Sequence, residues 1–214
     1  MARSTGLAKE QQRTLARLKP VVARDHLYLA GGTAIAYHLG HRRSLDLDLF
    51  TAKKRISLQR MSTQLMTKFS DFKVIEATDV TLHVRIGSTA VDIVNYPYAL
   101  LEPAAPGPGG FPTAGRLDLT VMKLSAIARR GIRRDFWDLK VLLESGISMQ
   151  QAADAYRKRF GLAENDLYHV LTALTYFDDA ERERNYPRGL GEAAWNGIKA
   201  YFRANAPSLL RSRR

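Results

Sequence analysis

Apolar residues at helical and strand spacing alternate along the first part of the chain. Residues 6–19 carry leucines at helical spacing and predict a helix, which Pro20 should end or kink. The short run "HLYLA" at residues 26–30 predicts a strand. After two glycines, "TAIAYHLG" predicts a second helix that Gly40 closes as its C-cap residue. The chain therefore begins with a predicted helix, strand and helix.

Strict alternation of polar and apolar residues begins at "SLDLDLF" and predicts a half-buried strand. Side chains two apart in a strand point to the same face, so Asp46 and Asp48 share one face. We expect Leu45, Leu47 and Leu49 to point to the opposite face, into a core.

A further amphipathic helix is predicted over residues 57–69, and three more strands follow it. These strands are "FKVIEAT", "TLHVRIG" and "TAVDIVNYP", with short turns at Asp79 and at Gly87-Ser88. The alternation of helices and strands predicts an N-terminal α/β domain over residues 1–101.

Proline and glycine dominate "EPAAPGPGGFPTAG", residues 102–115, which predicts a linker or long loop. The pattern after it is helical throughout, with helices near residues 117–130, 134–144, 148–159, 163–180 and 190–205. We therefore predict an α+β protein, with a linker over residues 102–116 and an α-helical bundle domain over residues 117–214.

The chain has 214 residues, of which 45% are hydrophobic and 25% are charged. This composition is typical of a soluble globular protein. The absence of cysteine excludes disulfides, thiolate metal sites and a cysteine nucleophile, and it fits a cytoplasmic location. No apolar run approaches the roughly 18 residues that span a bilayer. The charged start "MARSTGLAKEQQRTLARLKP" is not typical of a signal peptide, so we expect no membrane association.

The formal net charge is +12, with a pI of about 10.1. A surplus of this size attracts polyanions such as nucleic acid, nucleotides or an acidic protein. The alternative is a generally basic surface without a specific polyanionic partner.

The two aspartates on one strand face raise the question of a metal ion. Neighbouring carboxylates repel each other, and when shielded from water they need a cation or a proton between them. Mg²⁺ prefers oxygen ligands and is commonly held by one or two carboxylates together with substrate phosphates. Two such ions would clamp the attacking and leaving oxygens of a phosphoryl transfer. The alternative is that Asp46 and Asp48 are simply solvated.

The glycine pair before the second helix strengthens the metal interpretation. Gly31 and Gly32 lie between a predicted strand and a predicted helix, where backbone N–H groups and the helix dipole can bind a phosphate. Thr33 adds a hydroxyl. The alternative is an ordinary tight turn. Asp92 in "AVDIVNY" is a candidate third carboxylate on a neighbouring strand, although it also suits an outer strand face.

Taken together, Gly-Gly-Thr, a short helix and Asp-Leu-Asp resemble the signature of polymerase-β-type nucleotidyltransferases. The segment "LAGGTAIAYHLGHRRSLDLDLF" is similar to the AbiEii/AbiGii-type toxin nucleotidyltransferases, which carry a G-G-T/S … G-H-R-x-S-x-D-x-D-x-F pattern. The later blocks "LDLTVMKLSAIARRGIRRDFWDLKVLL" and "LTALTYFDDAE" also resemble that family. The resemblance runs from about residue 27 to residue 195.

The resemblance implies a polymerase-β-like domain that transfers a nucleoside monophosphate from an NTP to an acceptor with Mg²⁺ and releases pyrophosphate. It implies an RNA acceptor, the 3′ end of tRNA in several family members, and a cognate antitoxin as protein partner. Two alternatives stay open. One is transfer to a protein or a small molecule, and the other is a non-catalytic module that binds nucleotide or antitoxin.

The resemblance also implies roles for single residues. Asp46 and Asp48 would bind the metal ions, and Asp92 matches, by pattern, the third carboxylate that helps to deprotonate the acceptor. Lys123 would contact phosphates and Asp135 would support the site. The predicted catalytic set is Asp46, Asp48, Asp92, Lys123 and Asp135, of which the first three form the predicted metal set.

Binding of the cofactors, NTP and Mg²⁺, is predicted for a second set of residues, namely Gly31, Gly32, Thr33, Arg42, Ser44, Lys123 and Asp138. Arg42 lies on the loop that enters the strand, but it could equally be a surface arginine. Lys123 sits among apolar neighbours and needs either an anionic partner or an exit to water. Asp135 and Asp138 share one helix face, where Asp135 could complement the helix dipole and Asp138 could pair with Arg134 or Lys123. We expect the active site in a cleft between the two domains.

Overall fold

The structure, a computed structural model, describes residues 6–51, 53, 56–162, 167–184 and 186–211, and of residues 208–211 the backbone alone. The chain divides into two compact units, Met1–Gly115 and Arg116–Arg214. Within the described residues, no helix combines the length and the apolar character needed to cross a membrane.

The N-terminal unit combines helices with a mixed sheet. Its helices are α1 (Lys9–Val22), α2 (Gly31–Leu39) and α3 (Leu58–Lys68). Its strands are β1 (Leu27–Leu29), β2 (Asp46–Thr51), β3 (Phe72–Ala77), β4 (Thr81–Ile86), β5 (Thr89–Asn95), β6 (Ala105–Pro106) and β7 (Pro112–Thr113). The described strands form one sheet in the order β3-β4-β5-β2-β1-β7-β6. The β2–β5 and β1–β7 pairs are parallel and the others are antiparallel.

Burial of alternate residues fixes which face of the sheet packs into the core. Leu47 and Leu49 of β2 are fully buried. The alternating apolar residues of the neighbouring strands are buried as well: Leu82, Val84 and Ile86 of β4, and Val91 and Ile93 of β5. The expectation for Leu45 is wrong, because its side chain is 82% exposed. β2 begins one residue later, at Asp46, so the alternation does not extend to Leu45.

The N-terminal helix passes through Pro20, where the sequence predicts either an end or a kink. The helix does not end there but continues to Val22, and a short 3₁₀ turn over Ala23–Asp25 follows. Pro20 is exposed and lies in the last turn, where the missing N–H removes a single intrahelical hydrogen bond.

The Pro/Gly-rich segment is part of the sheet, whereas the sequence predicts a linker or loop. Thr113 of β7 pairs with Leu29 of β1, and the Ala114 N–H donates to the Leu29 carbonyl at 2.9 Å. Pro106 lies in the edge strand β6 and Pro112 is the first residue of β7, and both are positions where a missing N–H is tolerated. The segment therefore completes the N-terminal unit.

The C-terminal unit is helical. Its helices are α4 (Arg116–Arg130), α5 (Arg133–Glu144), α6 (Met149–Phe160), α7 (Tyr168–Ala173), α8 (Asp178–Glu181) and α9 (Glu192–Arg211). The single helix predicted over residues 163–180 is wrong in its described part, because α7 and α8 are separate; residues 163–166 lie outside the described part. The break places Phe177 against Phe136 and Trp195, with ring centroids 5.1 and 5.9 Å away.

A fully buried ion pair joins α4 to α6 in this unit. Arg159 Nη1 lies 2.8 Å from Asp118 Oδ1, and both side chains are 0% exposed. The same Nη1 donates to the Asp118 carbonyl at 3.3 Å. Breaking a buried pair leaves an uncompensated charge, which costs far more than the intact pair contributes.

We expect Asp118→Ala to lower the free energy of unfolding by about 3–5 kcal/mol, because Arg159 stays buried without its carboxylate. Urea unfolding followed by tryptophan fluorescence checks this, since Trp137 and Trp195 both lie in the C-terminal unit. The double variant Asp118→Leu with Arg159→Met should lose much less free energy of unfolding, because it buries no unpaired charge. Equal losses in the single and double variants would contradict an unpaired charge as the cause.

Candidate active site

The two central parallel strands bring three aspartates to one face of the sheet. β2 and β5 pair so that Asp48 lies beside Asp92 and Asp46 lies beside Ala90. Leu47 and Leu49 point into the core, so Asp46, Asp48 and Asp92 point to the other face. Asp46 is exposed, whereas Asp48 and Asp92 are partly buried.

The glycine turn lies directly against the Asp48 carboxylate. Gly31 has a φ of +59°, and a Cβ added to it would lie 2.1 Å from Asp48 Oδ2. The left-handed backbone and the lack of space both require glycine at this position. The Ala30 N–H also donates to the Asp48 carbonyl at 2.9 Å. Because α2 begins at Gly31, the N–H groups of its first turn, which have no intrahelical partners, lie next to this carboxylate.

Thr33 and Ser44 connect the first turn of α2 to the start of β2. The buried Thr33 hydroxyl is hydrogen-bonded to the Ser44 hydroxyl, with 2.6 Å between the oxygens, and to the carbonyl of Asp46. Gln11 of α1 donates to the Ser44 carbonyl at 3.1 Å. These bonds hold Asp46 in place beside the glycine turn. The predicted phosphate contacts of Thr33 and Ser44 stay predictions.

The loop before β2 carries the arginine predicted to bind phosphate. Arg42 is partly buried and donates to the carbonyl of the exposed Arg43 at 3.1 Å. This bond restrains the loop next to Ser44 and the start of β2. The phosphate contact predicted for Arg42 stays a prediction.

Asp92 has a partner that the sequence prediction missed. His83 of β4 pairs with Asp92 in the strand register, and its Nδ1 lies 2.6 Å from Asp92 Oδ1. The turn at Gly87-Ser88 contained the necessary information, because a tight hairpin turn fixes which residues face each other across it. Ile86 pairs with Thr89 at the turn, and counting three residues back along each strand from this pair places His83 opposite Asp92.

The carboxylates of β2 could hold Mg²⁺ beside the glycine turn. Over the part of the chain that the structure describes, no group of three or more His, Cys, Asp or Glu side chains could hold a metal ion. The metal role predicted for Asp92 stays a prediction, and Asp92 Oδ1 is engaged by His83. Asp46 and Asp48 supply the hard oxygen donors that Mg²⁺ prefers, next to a glycine turn suited to phosphate.

The predicted residues of the C-terminal unit form a buried ion cluster. Lys123 Nζ lies 2.8 Å from Asp135 Oδ1 and 2.8 Å from Asp138 Oδ2. Arg130 Nε lies 2.8 Å from Asp135 Oδ2. The Lys123 side chain is only 9% exposed, so the alternative that it reaches water is wrong, and Asp138 does pair with Lys123. Two cations therefore face two carboxylates.

Burial and ion pairing act in opposite directions on this cluster. Burial disfavours the charged form of Lys123, but the nearby carboxylates of Asp138 and Asp135 outweigh it and raise the pKa of Lys123. Burial likewise favours the neutral acid of Asp135. The attraction of Lys123 and the hydrogen bonds from Arg130 and Lys123 outweigh burial, and together they lower the pKa of Asp135. Lys123 and Asp135 are therefore held in their charged forms at neutral pH.

Comparison with known proteins gives matches over nearly the whole chain. A family model described as "Nucleotidyl transferase AbiEii toxin, Type IV TA system" matches residues 13–98 and 70–208. An uncharacterized protein of Aquifex aeolicus is 30% identical over 206 residues, which are 95% of this chain and 98% of that protein.

Solved structures show the same fold at low sequence identity. MenT4, a nucleotidyltransferase toxin of Mycobacterium tuberculosis, matches with a TM-score of 0.60 at 16% identity, over 92% of this chain and 82% of its own. JHP933 from Helicobacter pylori matches with a TM-score of 0.52 at 17% identity, over 96% of each chain. ANT(2″)-Ia, in complex with adenylyl-2″-tobramycin, matches with a TM-score of 0.52 at 16% identity, over 71% of this chain and 99% of its own chain. The predicted α+β fold of the polymerase-β-like type is confirmed.

Gly31→Ala should lower the free energy of unfolding by about 1–2 kcal/mol for the left-handed backbone and by about 1–3 kcal/mol more for overlap with Asp48. Gly161→Ala is the matched control, because Gly161 has a similar φ of +63° with nothing within 4 Å. Urea unfolding followed by circular dichroism measures both losses. If the two variants lose the same amount, the contact with Asp48 is not the constraint.

Asp135→Asn should destabilise the protein by about 3–5 kcal/mol at neutral pH, since it leaves Lys123 and Arg130 short of a carboxylate. A lowered folded-state pKa gives stability that is present above the unfolded pKa of about 4 and is lost as the pH falls through the folded value. The difference between wild type and variant should therefore shrink on acidification below pH ~4. The raised pKa of Lys123 keeps its contribution up to at least pH ~10. Urea unfolding of wild type and variant between pH ~3 and pH ~10 measures this difference in stability. Asp154→Asn, at an exposed aspartate, is the control.

Proposed function

Because the chain belongs to the AbiEii family of nucleotidyltransferase toxins, we propose that it transfers a nucleoside monophosphate from an NTP to RNA, with the 3′ end of tRNA as the preferred acceptor. The family makes the chain a nucleotidyltransferase enzyme. The RNA acceptor and the use of Mg²⁺ are our proposals.

The contact between Gly31 and Asp48 carries the proposal. It joins a phosphate-binding feature, the glycine turn at the start of α2, to a metal-binding feature, the carboxylates of β2. A triphosphate bound at the turn would lie next to the ions that neutralise it. Transfer of a nucleotidyl group depends largely on such positioning and charge neutralisation.

Asp46 and Asp48 would hold the Mg²⁺ ions, which when bound neutralise the triphosphate and polarise its α-phosphate. The first-turn N–H groups at Gly31 and Gly32 would bind phosphate oxygens. As the acceptor oxygen forms its bond to the α-phosphorus, the bond from that phosphorus to pyrophosphate breaks and pyrophosphate leaves with the electron pair. Asp92 would take the proton of the acceptor hydroxyl.

The charge of the chain favours a nucleic acid acceptor. A formal net charge of +12 raises the local concentration of a polyanion and speeds its association. A folded RNA presents such a charge, whereas an aminoglycoside is cationic. We place the reaction in the cytoplasm, where NTPs and tRNA are available, and we expect a cognate antitoxin to control it because the family is one of toxins.

A small-molecule acceptor is the second candidate, and one fold relative favours it. The matching structure of ANT(2″)-Ia contains adenylyl-2″-tobramycin, a nucleotidylated aminoglycoside. The second candidate rests on this shared fold, and parallel reactions with tobramycin test it.

We expect incubation with NTPs labelled at the α-phosphate, Mg²⁺ and total RNA to put label into an RNA of tRNA size. Asp48→Ala should reduce this incorporation at least about 100-fold, because loss of a group that stabilises transition-state charge has effects of that order. Asp79→Asn, an exposed aspartate in the β3–β4 turn, should leave it unchanged.

Parallel reactions with tobramycin and without RNA separate the alternatives. Label on the aminoglycoside supports the second candidate, and label on the chain itself indicates a protein acceptor. Binding of NTP without any transfer would show a binding module and overturn the proposal.

A further inference from the structure

Three strands carry a row of polar, ionisable residues across the face of the candidate site. His83 on β4 lies beside Asp92 on β5, and Asp92 lies beside Asp48 on β2. Neighbouring strands are about 4.8 Å apart, so the side chains of such a row are within reach of one another. Like charges directly opposite in a sheet repel. Asp92 therefore has a carboxylate on one side and an imidazole on the other.

The hydrogen bond with His83 determines which neighbour Asp92 engages. His83 Nδ1 is 2.6 Å from Asp92 Oδ1, and about a third of each side chain is exposed, 36% and 32%. An ionised carboxylate can only accept hydrogen bonds, so Nδ1 carries the proton and donates it. This bond holds Oδ1 on the β4 side of Asp92, away from Asp48.

We propose that His83 is a positioning residue that holds Asp92 for the acceptor hydroxyl and keeps it out of the metal site. The proposal rests on the proposed nucleotidyl transfer. Asp46 and Asp48 then bind the ions alone, and the second oxygen of Asp92 accepts the proton of the attacking hydroxyl. The proton moves from the acceptor oxygen to Asp92 as that oxygen bonds to the α-phosphorus and pyrophosphate leaves.

The geometry distinguishes this role from that of an ordinary surface ion pair. A pair that is one-third exposed contributes little to stability. The position of Asp92, by contrast, depends on a donor at a defined place, because the register fixes His83 opposite it. Loss of that donor should therefore affect the transfer step and leave folding intact.

The first experiment compares His83→Ala with His83→Asn in the labelled-NTP assay with RNA. The alanine variant should lower kcat about 10–100-fold, as is usual when a residue that orients a catalytic group is removed, and change the KM for NTP less than about twofold. Asparagine places an amide N–H near the position of Nδ1, so it should restore kcat to within about fivefold of wild type. Thr81→Val, on the same strand and face, is the control.

Three outcomes of this experiment would overturn the proposal. They are an unchanged kcat in His83→Ala, an equal loss in the alanine and asparagine variants, or a loss confined to KM. Thermal unfolding of each variant shows whether it is folded, and we expect melting temperatures within about 2 °C of wild type because the pair is partly exposed.

Binding of Mn²⁺, measured by electron paramagnetic resonance with NTP present, provides a readout without turnover. Asp48→Asn should weaken Mn²⁺ binding more than about tenfold, whereas Asp92→Asn should change it less than about twofold. If Asp92→Asn weakens binding as much as Asp48→Asn does, Asp92 is a metal ligand and the role of His83 is wrong. If Asp48→Asn has no effect, the metal site of the proposed function is wrong instead.

Discussion

Close contact between a backbone and a carboxylate determines the geometry of the candidate site. Gly31 and Asp48 are far closer than any side chain at position 31 would permit. That contact fixes the start of α2 against the middle of β2, and the hydrogen bonds of Thr33 with Ser44 and Asp46 join the same first turn to the start of β2. The parallel β2–β5 pairing then places Asp92 beside Asp48. Each later feature of the site depends on this first approach of α2 to the strand.

The two units use charge in different ways. In the N-terminal unit, the carboxylates of β2 lie at a partly open surface, where they can meet a cation and a substrate. In the C-terminal unit, Lys123 and Arg130 neutralise Asp135 and pair with it at short distances. A closed cluster of this kind keeps a buried lysine charged and oriented. Any contact of Lys123 with phosphate would have to compete with two carboxylates.

Local patterns were sufficient to predict most of the elements and the shared face of Asp46 and Asp48. Strand alternation, the Gly40 cap and the short turns act over a few residues, so the sequence displays them directly. Pairing between distant segments was not visible. The Pro/Gly-rich segment looks like a linker until β1 offers it a partner, and Lys123 looks like a residue that reaches water until α5 brings two aspartates to it. His83 belongs to no motif, and its place opposite Asp92 follows only from the register that the hairpin turn at Gly87-Ser88 sets.

The pairing of β7 with β1 affects how the chain can be divided. A fragment that stops at residue 101 would lack β7 and would leave Leu29 with an open strand edge, immediately before the glycine turn. Exposed edges of this kind recruit other chains and promote aggregation. An autonomous catalytic module, whether made in the laboratory or recombined during evolution, would therefore have to extend to Gly115.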